Sequence, residues 1–309
     1  MAATGLNVRA QSSGEKNSTL IVPFSPGSLL DIVARKFADA LKESGMPAHL
    51  VENIPGASGI LAGNQLLRRT PDGATILLAS SGLICNAPLL SKAQIPFNPQ
   101  ADFSPICSIA RTPFVLFSAV EFPANNLRDV QKLGSSRKEA LLYAGAEPGS
   151  ANHVAGEVVL ERLGVRGVYV PYQQNTQAYI DVVERRVDLG IYGWNNISLL
   201  VRSGRAKILA VLSEHPLAVA PLLPTIASQG FGKFDIQGWY GIFARKGVPE
   251  PSLREYERQA GLVVNGRSFS DFLTETGQVP FFANRQEFGT FIAAEVDRYR
   301  KILSKLNLI

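Results

Sequence analysis

The chain has only two cysteines, Cys85 and Cys107, in 309 residues. They lack CxxC spacing, and two thiols alone supply no zinc or iron–sulfur site. In an oxidising compartment they either bridge or stay as buried unpaired thiols. Histidine is almost as scarce: His49, His153 and His215 lie far apart, and no HExxH occurs. Charge is thin too, at 18% of residues against ~25% in an ordinary soluble chain, which excludes a disordered polyampholyte. Lys+Arg 31 against Asp+Glu 26 leaves +5, scattered without the basic block of a nucleic-acid arm. No apolar run reaches the ~18 residues of a spanning helix, and the longest, such as Phe114 to Val120, is strand-sized. There is no GxxxxGK[ST] phosphate loop and no GxSxG elbow, and Gly56, Gly59 and Gly63 miss the GxGxxG spacing. No recognisable catalytic set remains, and neither cofactor nor metal is expected.

The chain does have hydrophobic substance, 46% of residues, over a length that suggests about two domains. Residues 1–18 are small and polar without an apolar core, which fits either a cytoplasmic protein or a mature secreted one whose leader has been removed. Beyond them, short β-branched runs alternate with helical periods, the pattern of an α/β protein with largely parallel strands. Leu20 to Val22 reads as a strand, and Leu30, Val33, Phe37 and Leu41 give a helix that Gly45 and Pro47 end. Strands follow at His49–Glu52, Thr75–Ala79, Phe114–Ala119, Leu141–Ala144, Val168–Val170, Asp188–Tyr192, Ile208–Leu212 and Gly238–Arg245. Helices lie between most of them, and the stretch from Pro216 to Pro224 reads as a connector. Asn284 with Glu287 forms a capping pair that starts the last helix. The arrangement predicts two α/β lobes joined by strand crossovers: 19–110 with 229–309 as one lobe, 111–228 as the other, and 1–18 as a flexible N-terminal segment.

Three segments share one design, in which a strand ends, small residues follow and a helix starts. They are Phe24 to Asp31, Ser80 to Asn86 and Ala146 to His153. In open parallel sheets, ligands sit outside the carboxyl ends of strands. Helix starts there offer unpaired N–H groups and partial positive charge, which suit an anion. Gly27, Gly82 and Gly149 allow close backbone approach, and the serines add hydroxyls. None of the three loops holds a Lys or Arg, so an anion would be held by dipoles and hydroxyls. Each loop alone is also an ordinary capped turn, with Ser28 and Ser150 as N-caps. His153 alone reads as a capping or packing residue, and Trp194, Trp239 and Tyr172 read as core before cleft. Three such loops together favour a binding site.

With these loops located, the sequence resembles the substrate-binding proteins of tripartite tricarboxylate transporters, the Bug-type (Bordetella uptake gene) receptors. The resemblance is carried by IVPFSPGSLLDIVARKFADAL (21–41), VENIPGASGILAGNQLLRRTPDGATILLASSG (51–82), IPFNPQADFSPICSIARTPFVL (95–116), YAGAEPGSANHVAGEVV (143–159), YVPYQQNTQAYIDVVERRVDLGIYG (169–193) and RSGRAKILAVLSEHPLAVAPLLPTIASQGF (202–231). It implies a type II periplasmic-binding-protein-like fold, two hinged lobes closing over a small carboxylate such as an organic acid or amino acid. The loaded receptor would deliver its acid in the periplasm to the membrane subunits of the transporter. Ligand-binding residues implied by matching positions are Phe24, Gly27, Ser28, Leu29, Asp31, Ser80, Ser81, Gly82, Gly149, Ser150 and His153, with Tyr172 and Asn195 near the cleft. Waters held by the first loop would bridge to one carboxylate.

The sequence departs from the family in three places. Ser28 replaces the second glycine of a Pro-Gly-Gly, and Leu29-Leu30 make that loop bulkier. Glu147 adds negative charge where an acid would approach, either to receive a ligand amine or to point to solvent. Trp194-Asn195-Asn196 stands where Phe-Asp-Asn is commoner. Two other functions compete with a receptor. A hydrolase would use Ser80 or Ser150 with His153, but no nucleophile–base spacing supports it. An effector-sensing domain would carry a helix-turn-helix segment, which the sequence lacks.

Overall fold

The computed structural model describes residues 18–90, 95–148, 150–172, 174–234 and 236–309. The chain opens with β1 (Ser18–Val22), α1 (Leu29–Glu43), β2 (His49–Asn53), α2 (Ile60–Arg68) and β3 (Thr75–Ser80). A π-helical turn, Gly82–Asn86, leads into α3 (Ala87–Leu90), then α4 (Pro99–Asp102), β4 (Phe103–Thr112) and β5 (Phe114–Ala119). The middle comprises α5 (Leu127–Ser136), β6 (Leu141–Ala144), α6 (Ala151–Leu163), β7 (Gly167–Val170), α7 (Asn175–Val183), β8 (Leu189–Gly193), α8 (Trp194–Arg202) and β9 (Ala206–Leu212). The chain closes with β10 (Gly238–Arg245), α9 (Glu250–Asn265), α10 (Arg267–Glu275), β11 (Val279–Pro280) and α11 (Arg285–Lys305).

Among the described residues the strands form two sheets, in the orders β11-β4-β10-β3-β1-β2 and β7-β6-β8-β5-β9. The βα units keep β1, β2 and β3 parallel, and likewise β6, β7 and β8. The strands at the crossings run the other way: β10 is antiparallel to β3 and β4, and β5 to β8 and β9. The sheets are therefore mixed rather than largely parallel, because a strand that enters one sheet from the other has no crossover helix to restore its direction. β4, which the sequence reading passes over, is the long strand that leaves the first sheet at Thr112, and β5 begins the second at Phe114.

α1 shows how the sequence builds these layers. Val33, Phe37 and Leu41 fall on one stripe and are almost completely buried. At ~1.5–3 kcal/mol for each fully buried large apolar side chain, that stripe fixes the helix to its sheet. One core joins Val33, Phe37 and Leu41 to Tyr256 of α9 and Phe269 of α10. Another lies within the second sheet and its helices α7 and α8. The third runs across both sheets, joining Phe243, Phe288 and Leu303 to Val154, Leu160 and Leu209. α11 belongs to this shared core, and its Lys305 Nζ reaches Glu161 Oε1 on α6 at 2.8 Å. Residues 229–234, expected in the first lobe, hydrogen-bond to elements of the second sheet: Gln229 donates to Leu209 O, and Arg162 donates to Phe231 O. Cys85 and Cys107 are both buried free thiols.

A cleft between two sets of strand ends

The parallel registers place the ends of β1, β2 and β3 side by side, and so gather the loops 23–28, 54–59 and 80–82. The second sheet does the same with the loops after β6, β7 and β8. The two edges meet directly. Glu147 Oε2, in the loop after β6, accepts from Ser58 N at 2.6 Å and from Ser58 Oγ at 3.0 Å. The ends of the parallel strands in the two sheets thus face each other.

The first loop is held rigidly from behind. Gly27 turns the chain with φ +78°, a conformation a side chain would strain. Ser28 caps α1 by accepting from Asp31 N at 3.3 Å. Asp31 Oδ2 accepts from Gly27 N at 2.9 Å and Arg35 Nε at 3.1 Å, while Oδ1 accepts from Asn53 Nδ2 at 2.8 Å. Burial pushes the Asp31 carboxyl up, but Arg35, Asn53 and the Gly27 amide outweigh it and leave it below the usual carboxylate range. Asp31 is therefore committed to the loop itself. Phe24, Leu29 and Leu30 pack against the core under α1, so the bulk of this loop turns largely inward.

The second loop ends β3 with Ser80 half-buried and Ser81 and Gly82 buried. The π-turn that follows widens the helix by one residue per turn, a device found often at functional sites. In the third loop Gly149 lies outside the described residues. Ser150 caps α6 by accepting from His153 N at 3.3 Å. The His153 ring stacks on Tyr169 at 4.1 Å and lies 3.8 Å from Glu157 Oε1. Burial lowers its pKa, partly offset by Glu157, so the ring is held toward its neutral form. Tyr192 donates to Gly145 O and Tyr169 to Ala146 O, pinning the loop from below. Asn152 ties the start of α6 to β8 through Ile191 O at 2.9 Å. Tyr172 donates to Asp181 Oδ2 at 2.7 Å, and Asn195 donates to Asn196 Oδ1 at 3.0 Å in the first turn of α8.

The structure brings the Gly27–Ser28, Ser80–Gly82 and Ser150 segments to facing edges, while Asp31 and His153 are engaged in holding the first and third of them and Tyr172 is bonded to Asp181 of α7. Sequence reasoning missed Asn53, Ser58, Tyr169 and Tyr192. The strand endings at 53, 170 and 193 were the available signal for Asn53, Tyr169 and Tyr192, while nothing local marked Ser58. Glu147 neither points to solvent nor waits free for an amine: Ser58 holds it across the cleft. Gly277, at φ +76°, lies against Trp194 with a would-be Cβ 3.1 Å from its ring, a second contact between the sheets.

The profile described as tripartite tricarboxylate transporter family receptor matches residues 33–308. The chain belongs to that family. A UPF0065 protein of Bordetella pertussis is 30% identical over 94% of this chain and 89% of its own. The solved structure of the periplasmic binding protein BugD is 27% identical, with a TM-score of 0.83 over 94% of this chain and 98% of its own. An R. palustris protein solved with adipate is 26% identical, with a TM-score of 0.87 over 94% of this chain and 97% of its own. The two-lobe α/β fold of periplasmic binding proteins is shared throughout. Among the described residues no helix is long and apolar enough to cross a membrane.

Proposed function

We propose that the protein is a non-catalytic, periplasmic solute receptor that closes its two lobes over a small carboxylate and passes it to the membrane subunits of a tripartite transporter. One observation carries this reading: loops rich in amides and hydroxyls, free of Lys and Arg, converge from two sheets and touch through Ser58 and Glu147. Such loops can stabilise a carboxylate by dipoles without an ion pair. The lobes divide at the Thr112–Phe114 crossing and at the return into β10, with 229–234 on the second lobe. Gly27, Ser28, Ser80, Ser81, Gly82 and Ser150 supply the contacts, and Asn195 lines the second wall. Asp31 and His153 position the first and third loops, and Tyr172 stands near the second wall on Asp181. The adipate-bound relative and the family's role support the acid and the transporter. Ligand touching both walls favours the closed state by its differential affinity. Ser150 acts as a helix cap, which leaves the hydrolase alternative without support from this residue.

The test is a thermal-shift panel of mono- and dicarboxylates, with mass spectrometry of any acid that co-purifies. Saturable stabilisation with the acid recovered unchanged is expected; steady conversion of the acid to a product would refute a receptor.

A further inference from the structure

Resting on the carboxylate reading, we infer that Glu147 sets a charge rule for the cleft: it admits ligands with a single carboxylate and discriminates against diacids. The backbone from Gly56 to Gly59 runs through four consecutive positive φ values, +123°, +48°, +52° and +93°. Within it the Gly59 amide is taken by Gly56 O at 3.0 Å, which leaves the Ser58 amide and hydroxyl as the donors the turn presents. A carboxylate from the opposite lobe already holds both, at Glu147 Oε2. The position is central. Gly59 packs against Pro23 and Leu83, with a would-be Cβ 3.3 Å and 3.4 Å from theirs, so the cradle sits between the first and second ligand loops. Glu147 itself is three residues from Ser150, in the third loop.

The charge count follows. The loops 23–31, 54–59, 80–86, 145–153, 171–174 and 193–196 contain no Lys or Arg. Arg35 lies on Asp31, and Arg111, at the cleft end of β4, lies 3.9 Å over the Phe281 ring. A monocarboxylate brings one charge to the amides and hydroxyls of the two walls. A diacid brings a second toward Glu147, finds the Ser58 donors taken, and meets like charge in a partly dehydrated space. Discrimination on the order of tenfold or more is expected, the scale of one close electrostatic interaction.

The experiment compares pairs matched in chain length, butyrate with succinate and hexanoate with adipate, by calorimetric titration of the wild-type protein, Glu147→Gln and Glu147→Ala. In the wild type the monoacid of each binding pair should be tighter by roughly tenfold or more. Both variants should pull that ratio toward one through a gain for the diacid. The wild-type ratio needs no variant, so a variant that fails to fold leaves the test standing. A tighter diacid in the wild type, or a ratio unmoved by folded variants, overturns the charge rule alone. If no acid of either kind binds, the carboxylate reading falls and the rule with it.

Discussion

Asp31 is 3% exposed, yet its carboxylate receives donors from three directions: the Gly27 amide, Arg35 and Asn53. Removing it frees the Gly27 amide, in an exposed turn, and one of the two hydrogen bonds of the half-buried Asn53 amide, whose other goes to Phe24 O. Asp31→Ala should therefore destabilise the fold by about 1–2 kcal/mol, the loss of a few part-exposed hydrogen bonds, read as a lower urea midpoint at unchanged slope. Ligand affinity should fall as well, because the first loop loses its brace. Ser150→Glu tests the opposite wall. The bulky acid at the start of α6 should abolish ligand-dependent melting shifts, at the cost of a cap worth ~1 kcal/mol; shifts equal to the wild type would refute it. The capping roles of Ser28 and Ser150 were readable from residue type and position alone. The partners of Asp31 were not: Asn53 is 22 positions away, and only the pairing of β1 with β2 brings it beside the loop.

At the scale of elements, β2 carries a titrating group whose behaviour follows from its packing. His49 is 9% exposed, and its Nε2 lies 2.9 Å from the Tyr256 hydroxyl of α9. Desolvation lowers its pKa to about 4 against an ordinary 6.5. The folded state thus prefers the neutral ring, and the unfolded chain takes the proton first as pH falls. The stabilisation is complete above pH 6.5, is lost progressively down to about 4, and amounts to about 3 kcal/mol. Denaturation midpoints of the wild type should drop across that window more steeply than those of His49→Gln; parallel curves would exclude His49 as the cause. α11 offers a simpler case. Its Asn284–Glu287 capping box forms as the sequence predicts, and Asn284→Ala should cost ~1 kcal/mol in the same assay. Elements with a single period and a clear stop, such as α1, α6 and β5, were legible. β4 was not, because Pro105 and the polar Ser104 and Ser108 interrupt its apolar pattern, and its long pairing with β10 overrides local propensity.

Across the whole molecule, closure is the property that the lobe arrangement makes testable. Ligand at a hundredfold excess over its Kd should stabilise the protein by ~2.7 kcal/mol. In X-ray scattering it should also draw the radius of gyration toward the ~19 Å of a compact chain of this length. An unchanged scattering profile at saturation would argue against hinged lobes. The likeness between sequence and fold was strongest at this scale, since motif order along the chain identifies the family. The direction of the crossing strands was hidden, because nothing local tells β5 or β10 which way its neighbours run.

The place of β10 carries a further consequence for how the polypeptide comes together. It lies between β3 and β4 in the first sheet, yet follows β9 in the chain. As synthesis proceeds, β3 waits with one unpaired edge and β4 with two until residue 245 has emerged, by which time every strand of the second sheet already exists. The inserted half can therefore mature first, and the half that brackets it is finished last, when β10 joins β3 to β4 and β11 then covers the outer edge of β4.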